Sequence, residues 1–77
     1  MSVPHPVDVH VGKRLSVLRS ARGISQTKLA EMAGRSYPQI RKYEKGQNRI
    51  SASMLYDLAK ILDVSILDFY KGLDRCG

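Results

Sequence analysis

Tryptophan is absent from these 77 residues, and cysteine occurs once, at position 76. A lone thiol makes no internal disulfide, which excludes the stapled, loop-rich folds of small secreted proteins. Cys76 is expected to be an inert free thiol. Aromatic residues are sparse, with four Tyr and one Phe. No apolar run approaches the ~20 residues that cross a bilayer, and no charged-then-apolar leader opens the chain. A cytoplasmic location without a membrane partner is the expectation. Acidic residues are scarce too. Seven Asp and Glu face thirteen Lys and Arg, for a net charge of +6, a balance that suits a polyanionic partner. A chain this short holds one small domain and buries roughly 60–65% of its unfolded surface, a slender frame for catalysis.

The positive charge is concentrated. Residues 13–49 carry ten Lys and Arg against two acids, Glu31 and Glu44, whereas residues 50–77 carry three against four Asp. Residues 1–7 hold Pro4 and Pro6 without periodicity and read as a flexible N-terminal arm. Asp8 is then the expected N-cap of a first helix in which Val11, Leu15 and Leu18 recur at helical spacing, ended by Gly23. Ser25 caps a second helix carrying Leu29, Ala30 and Ala33, stopped by Gly34. A third runs from about Ser36 to Lys45, with Ile40 and Tyr43 inward and Gly46 closing it. At its start, Ser36 with Gln39 has the form of a capping box, yet Pro38 disfavours helical angles at Tyr37, so Ser36 and Tyr37 both remain as caps. Ser51 caps a fourth helix with Leu55, Leu58, Ala59 and Leu62 on one face. Ser65 and Asp68 form a capping box opening a short fifth helix through Phe69 and Tyr70. Nothing alternates with period two. The expected fold is all-α, a five-helix bundle spanning 8–73, with a C-terminal tail at 74–77.

The segment QTKLAEMAGRSYPQIRKYEK, residues 26–45, carries the functional signal. Two short helices meet at Gly34, where the turn needs a positive φ, and Ala30 is small where they approach. A helical hairpin of this kind also serves ordinary packing; the basic second helix and the flanking helices favour the DNA-binding helix-turn-helix. At about 100° per residue, Ile40, Tyr43 and Glu44 share one side of the third helix, and Pro38, Arg41, Lys42 and Lys45 the other. Such a helix can lie in a major groove. Arg41 and Lys42, both suited to guanine, are the expected base readers, with Tyr37 and Pro38 beside them at the helix start. Lys45 and Arg49 are expected on phosphates, joined by Ser36, Gln39 and Asn48. Gln26, Thr27 and Lys28 open the second helix, whose free N–H groups and dipole attract an anion.

These stretches, VGKRLSVLRSARGISQTKLAEMAG, QIRKYEKG and LYDLAKILDVSILDFY, make the chain resemble the Cro/cI-type helix-turn-helix family, also called lambda-repressor-like or XRE, over roughly four-fifths of its length. The resemblance implies a lambda-repressor-like five-helix fold, binding to operator DNA as a symmetric dimer and, most often, repression. It also implies an ion pair between Arg19 and Glu44. Independently, Glu44 lies on the core side of its helix, where an unpaired carboxylate would be costly. The chain departs from the family pattern at Lys28, where Glu is common, at Pro38, where a polar reader is typical, and at Asp63, where Gly is common. Asp tolerates left-handed angles, so no change of fold is expected there.

His5 and His10 stand near the arm without the cysteines or carboxylates that would complete a metal site, and read as solvent-exposed. The serines that precede helices are explained as caps. No cofactor, metal or catalytic constellation is expected. Leu67, Tyr70 and Leu73, with Met54 and Ile61 nearby, exceed the needs of so small a core. They either cover its underside or form a twofold homodimer interface that sets two recognition helices about 34 Å apart. Two further readings stand beside the DNA-binding regulator. One is an antitoxin-like or cofactor module acting mainly through a protein partner. The other is a non-specific nucleic-acid or RNA binder.

Overall fold

A computed structural model describes residues 3–73. Residues 1–2 of the arm and the tail at 74–77, with Cys76, lie outside the described residues. Four α-helices follow in order: α1 Pro6–Ala21, α2 Gln26–Ala33, α3 Tyr37–Glu44 and α4 Ala52–Leu62. The fifth element, Ile66–Tyr70, is a 3-10 helix rather than an α-helix. Its capping is as expected, with Ser65 Oγ accepting from the Leu67 N–H at 3.1 Å and the Asp68 carboxylate accepting from the Ser65 N–H at 3.0 Å. Five residues between that box and an extended Lys71 complete too few turns for an α-helical ladder, and i→i+3 bonding is the usual form of so short a piece.

Each α-helix has a side-chain cap. Ser25, Ser36 and Ser51 accept from the N–H groups of Lys28, Gln39 and Met54. Ser36 is therefore the cap of α3, and Pro38 sits inside its first turn, where a missing N–H costs nothing. The start of α1 differs from expectation. His5, not Asp8, is the N-cap, its Nδ1 accepting from the Val7 N–H at 3.1 Å, and Pro6 is the first helical residue. Two residues assigned to the arm thus belong to the helix. Asp63 is the only non-glycine residue with positive φ among the described residues, at 55°, and it ends α4 as a left-handed C-cap.

Every element contributes to one core. Leu15, Leu29, Ile40, Leu58, Leu62 and Phe69 are fully buried, each worth about 1.5–3 kcal/mol relative to exposure. Met54, set aside above as surplus, belongs to this core, and Ile61 packs against it half-buried. α1 lies across α3 and the 3-10 helix, while α2 packs on α3 and α4. Two long-range bonds fasten the 3-10 helix to α1: Arg14 Nε donates to the Asp68 carbonyl, and His10 Nε2 lies 2.8 Å from the Lys71 carbonyl oxygen. His10 is therefore half-buried and engaged, not a free solvent-exposed side chain. Among the described residues no helix is long and apolar enough to cross a membrane.

Candidate nucleic-acid interface

The α2–turn–α3 unit is built from local chemistry. Gly34 adopts φ 66° and ψ 33°, a conformation that costs any residue bearing a Cβ. Its N–H and that of Arg35 return to the last turn of α2, Arg35 to Ala30 at 2.9 Å. Ala30 is buried between the helices and Leu29 is fully buried beneath them. α3 then leaves the turn with Ile40 and Tyr43 buried in the core. Tyr37, Pro38, Arg41, Lys42 and Lys45 are exposed. The outer face is thus cationic over two turns, and its orientation is fixed by the buried pair on the opposite side.

A network of charged hydrogen bonds locks that orientation. Arg19 Nε donates to Glu44 Oε2 at 2.6 Å and a terminal nitrogen donates to Oε1 at 3.2 Å, a two-pronged pair with side chains only 14% and 7% exposed. The remaining arm of the guanidinium donates to the Ile24 carbonyl at 2.7 Å. Gln26 Nε2 adds a bond to Glu44 Oε1 at 2.9 Å. One carboxylate therefore joins α1, the α1–α2 turn, the start of α2 and the end of α3. Arg19 is held for structure, and Gln26, expected on a phosphate, is also part of this network. Its amide nitrogen carries two hydrogens, so the bond to Glu44 orients the second one without consuming it.

The other expected anchors are distributed around α3. Thr27 and Lys28 are exposed in the first turn of α2, with Lys28 Nζ 3.7 Å from Glu31. Ser36 is exposed and Gln39 half-buried at the start of α3, while Asn48 is half-buried in the following loop. Arg49 Nε pairs with Asp8 at 3.0 Å while its side chain stays 70% exposed, an arrangement that steadies the guanidinium and leaves its terminal nitrogens outward. The Arg41 guanidinium lies 5.9 Å over the Tyr37 ring, within cation–π range. Gln47 was not singled out from sequence, yet it lines a shallow groove of about 170 Å³ with Arg41, Lys42 and Lys45. Its place in the polar loop that follows the cationic α3 is the signal that could have found it. A larger groove of about 750 Å³ runs between α3 and α1, with Gln26, Tyr37, Arg41 and Lys45 on its walls. Among the described residues, no group of three His, Cys, Asp or Glu could hold a metal ion.

A family model described as helix-turn-helix matches residues 15–69, from Leu15 of α1 through Phe69 of the 3-10 helix. The chain belongs to the Cro/cI-type helix-turn-helix family. Among curated members of this family, an uncharacterized transcriptional regulator in the ATPase CF(0) region of Rhodospirillum rubrum is 52% identical over 71 residues, covering 92% of this chain and 66% of its own. An uncharacterized helix-turn-helix-type transcriptional regulator of Sinorhizobium medicae is 46% identical over 68 residues, covering 88% of this chain and 49% of its own. This Cro/cI-type chain therefore spans between about half and two thirds of the length of these curated relatives. Among solved structures, the restriction-modification controller protein C.AhdI from Aeromonas hydrophila superposes with a TM-score of 0.79 at 32% identity, over 84% of this chain and 98% of that one. The master regulator for biofilm formation SinR, solved in complex with DNA, superposes with a TM-score of 0.71 at 28% identity, over 77% of this chain and 95% of that one. The all-helical Cro/cI-type fold is shared throughout, with the fifth element of this chain being the 3-10 helix.

Proposed function

We propose that this chain is a sequence-specific double-stranded-DNA-binding transcriptional regulator, most simply a repressor, that inserts α3 into the major groove of an inverted-repeat operator as a homodimer. One observation carries the reading. The buried Ile40 and Tyr43 and the part-buried Arg19–Glu44 pair fix α3, on whose outer side Tyr37, Pro38, Arg41 and Lys42 are exposed together. In this reading Arg41 and Lys42 read base edges, with guanine O6 and N7 the natural acceptors of their long donors, and Tyr37 and Pro38 supply apolar contact at the helix start. Gln26, Thr27, Lys28, Ser36, Gln39, Lys45, Asn48 and Arg49 hold phosphates and set the register. The kinship with the controller C.AhdI and with SinR, solved on DNA, supports this assignment.

The dimer surface proposed is the 3-10 helix. Leu67 is 76% exposed and Ile66 and Tyr70 are each 38% exposed, with Leu73 half-buried behind them. Apolar side chains so placed gain most by meeting a second copy, and a twofold axis there would set the two α3 helices about 34 Å apart, one turn of DNA. The site of action is the cytoplasm, on the nucleoid when DNA is bound.

Alanine substitution separates the roles. Arg41→Ala and Lys42→Ala are each expected to cost about 1–3 kcal/mol on the preferred duplex and to relax preference at one base position. Arg49→Ala should weaken all duplexes alike and flatten the salt dependence. Binding titrations on matched and single-base-changed duplexes decide the matter. Equal losses on every duplex for all three variants would overturn the division between reading and anchoring.

A further inference from the structure

Three Lys and Arg side chains belong to α1 and a fourth, Arg22, stands at its C-cap; three of these four are engaged within the molecule. Arg14 donates to the Asp68 carbonyl at 2.8 Å, Arg19 is paired with Glu44, and Arg22 donates to the Asp63 carbonyl at 2.9 Å. Lys13 is exposed and has no hydrogen bond or ion pair among the described residues. Its place is set by the residue before it. Gly12 is buried, and a Cβ built on it would collide with the Tyr43 carbonyl oxygen and lie 2.8 Å from that of Glu44. Only glycine lets the α1 backbone come so close to the end of α3, and the close approach puts Lys13 on the wall of the 750 Å³ groove that Arg41 and Lys45 also line. The single carboxylate in that groove, Glu44, is already engaged by Arg19 and Gln26. Three cations therefore share one open groove without a free counter-charge. A groove walled by cations attracts an anion.

We infer that Lys13 is a further DNA anchor, taking a backbone phosphate of the duplex that α3 enters, so that α1 belongs to the binding surface as well as to the core. The inference rests on the DNA-binding reading above and adds a contact on an element outside the helix-turn-helix. A phosphate contact carries no sequence information, so Lys13 sets affinity and register, not base preference. Arg14, Arg19 and Arg22 do not line that groove, so Lys13 is the one cation that α1 brings to it.

The test is a salt titration of binding with a duplex carrying the selected site and a scrambled duplex of equal length. Wild type is compared with Lys13→Gln, Lys13→Arg and, as a charge-matched control on α4 outside the groove, Lys60→Gln. Removing one phosphate contact lowers the slope of log affinity against log salt by about 0.9. Lys13→Gln is therefore expected to show that loss on both duplexes, with about three- to tenfold weaker binding at moderate salt and an unchanged melting temperature. Lys13→Arg should keep the wild-type slope. A slope for Lys13→Gln equal to that of wild type, or a loss no larger than that of Lys60→Gln, would overturn the inference. If Arg41→Ala still changes base preference in that case, the DNA-binding reading survives without it. Failure of wild type to bind either duplex would overturn both.

Discussion

Glu44→Ala is expected to lower folding stability by about 2–4 kcal/mol, somewhat less than stranding one partner of a fully buried ion pair, because this pair is part-buried. The carboxylate is 7% exposed and answers three donors: two from Arg19 and one from Gln26. Removing it leaves a guanidinium that is 14% exposed with only the Ile24 carbonyl to satisfy it. Small domains hold a total of about 5–15 kcal/mol, so the variant should melt far below wild type and bind DNA weakly even where folded, since α3 loses its tie to α1 and α2. Denaturant unfolding provides the number. Adding Arg19→Met to Glu44→Ala should recover part of the stability, because the stranded cation is the chief cost, but should not restore DNA binding. A single-variant loss below about 1 kcal/mol would place the pair with ordinary surface salt bridges instead.

Gly12→Ala is expected to destabilise by about 1–3 kcal/mol or more, the cost of overpacking a tight contact. The sign is the informative part. Inside an unconstrained helix the same change stabilises by roughly 0.5–1 kcal/mol, because glycine is a poor helix former. Here the added methyl meets two carbonyl oxygens of α3, at Tyr43 and Glu44. Both are backbone atoms, so no rotamer change relieves them and α1 must move away from α3. That movement would also carry Lys13 and Arg19 from their places. Chemical denaturation checks the prediction, and a gain in stability would mean that the two helices are not held at this distance.

The boundaries most legible in the sequence are those governed by local chemistry. Ser25, Ser36, Ser51 and Ser65 cap the elements they precede because a hydroxyl two or three residues before a free N–H is a local arrangement. Gly34 at φ 66° follows from the same kind of reasoning, whereas Asp63 at φ 55° follows from the family pattern, in which Gly is common at that place. The apolar side of α3 and its cationic opposite side were readable from a 100° wheel. The start of α1 was not, because two prolines resemble an arm, although Pro6 at the first helical position needs no N–H partner and His5 is an unusual cap. The short fifth element reads as helical from its capping box, but the bonds that fasten it to Arg14 and His10 of α1 cannot be read there. Those bonds join residues more than fifty positions apart, and nothing local marks them. Gly12 was silent for the same reason: its importance lies in what crosses it, and apolar periodicity does not register a missing side chain. The Arg19–Glu44 pair was reached through the family resemblance and the inward side of α3, whereas its third member, Gln26, became visible only when the helices were placed together.

The central claim is that α3 reads sequence while the elements around it hold phosphates and pair two copies. Selection of tight binders from a random duplex library at near-physiological salt, followed by sequencing, tests it most directly. The account predicts an enriched inverted repeat whose half-sites are centred about one helical turn apart. A pool that stays random while affinity collapses with rising salt would contradict it, and would leave a basic helical module that binds phosphates without reading bases.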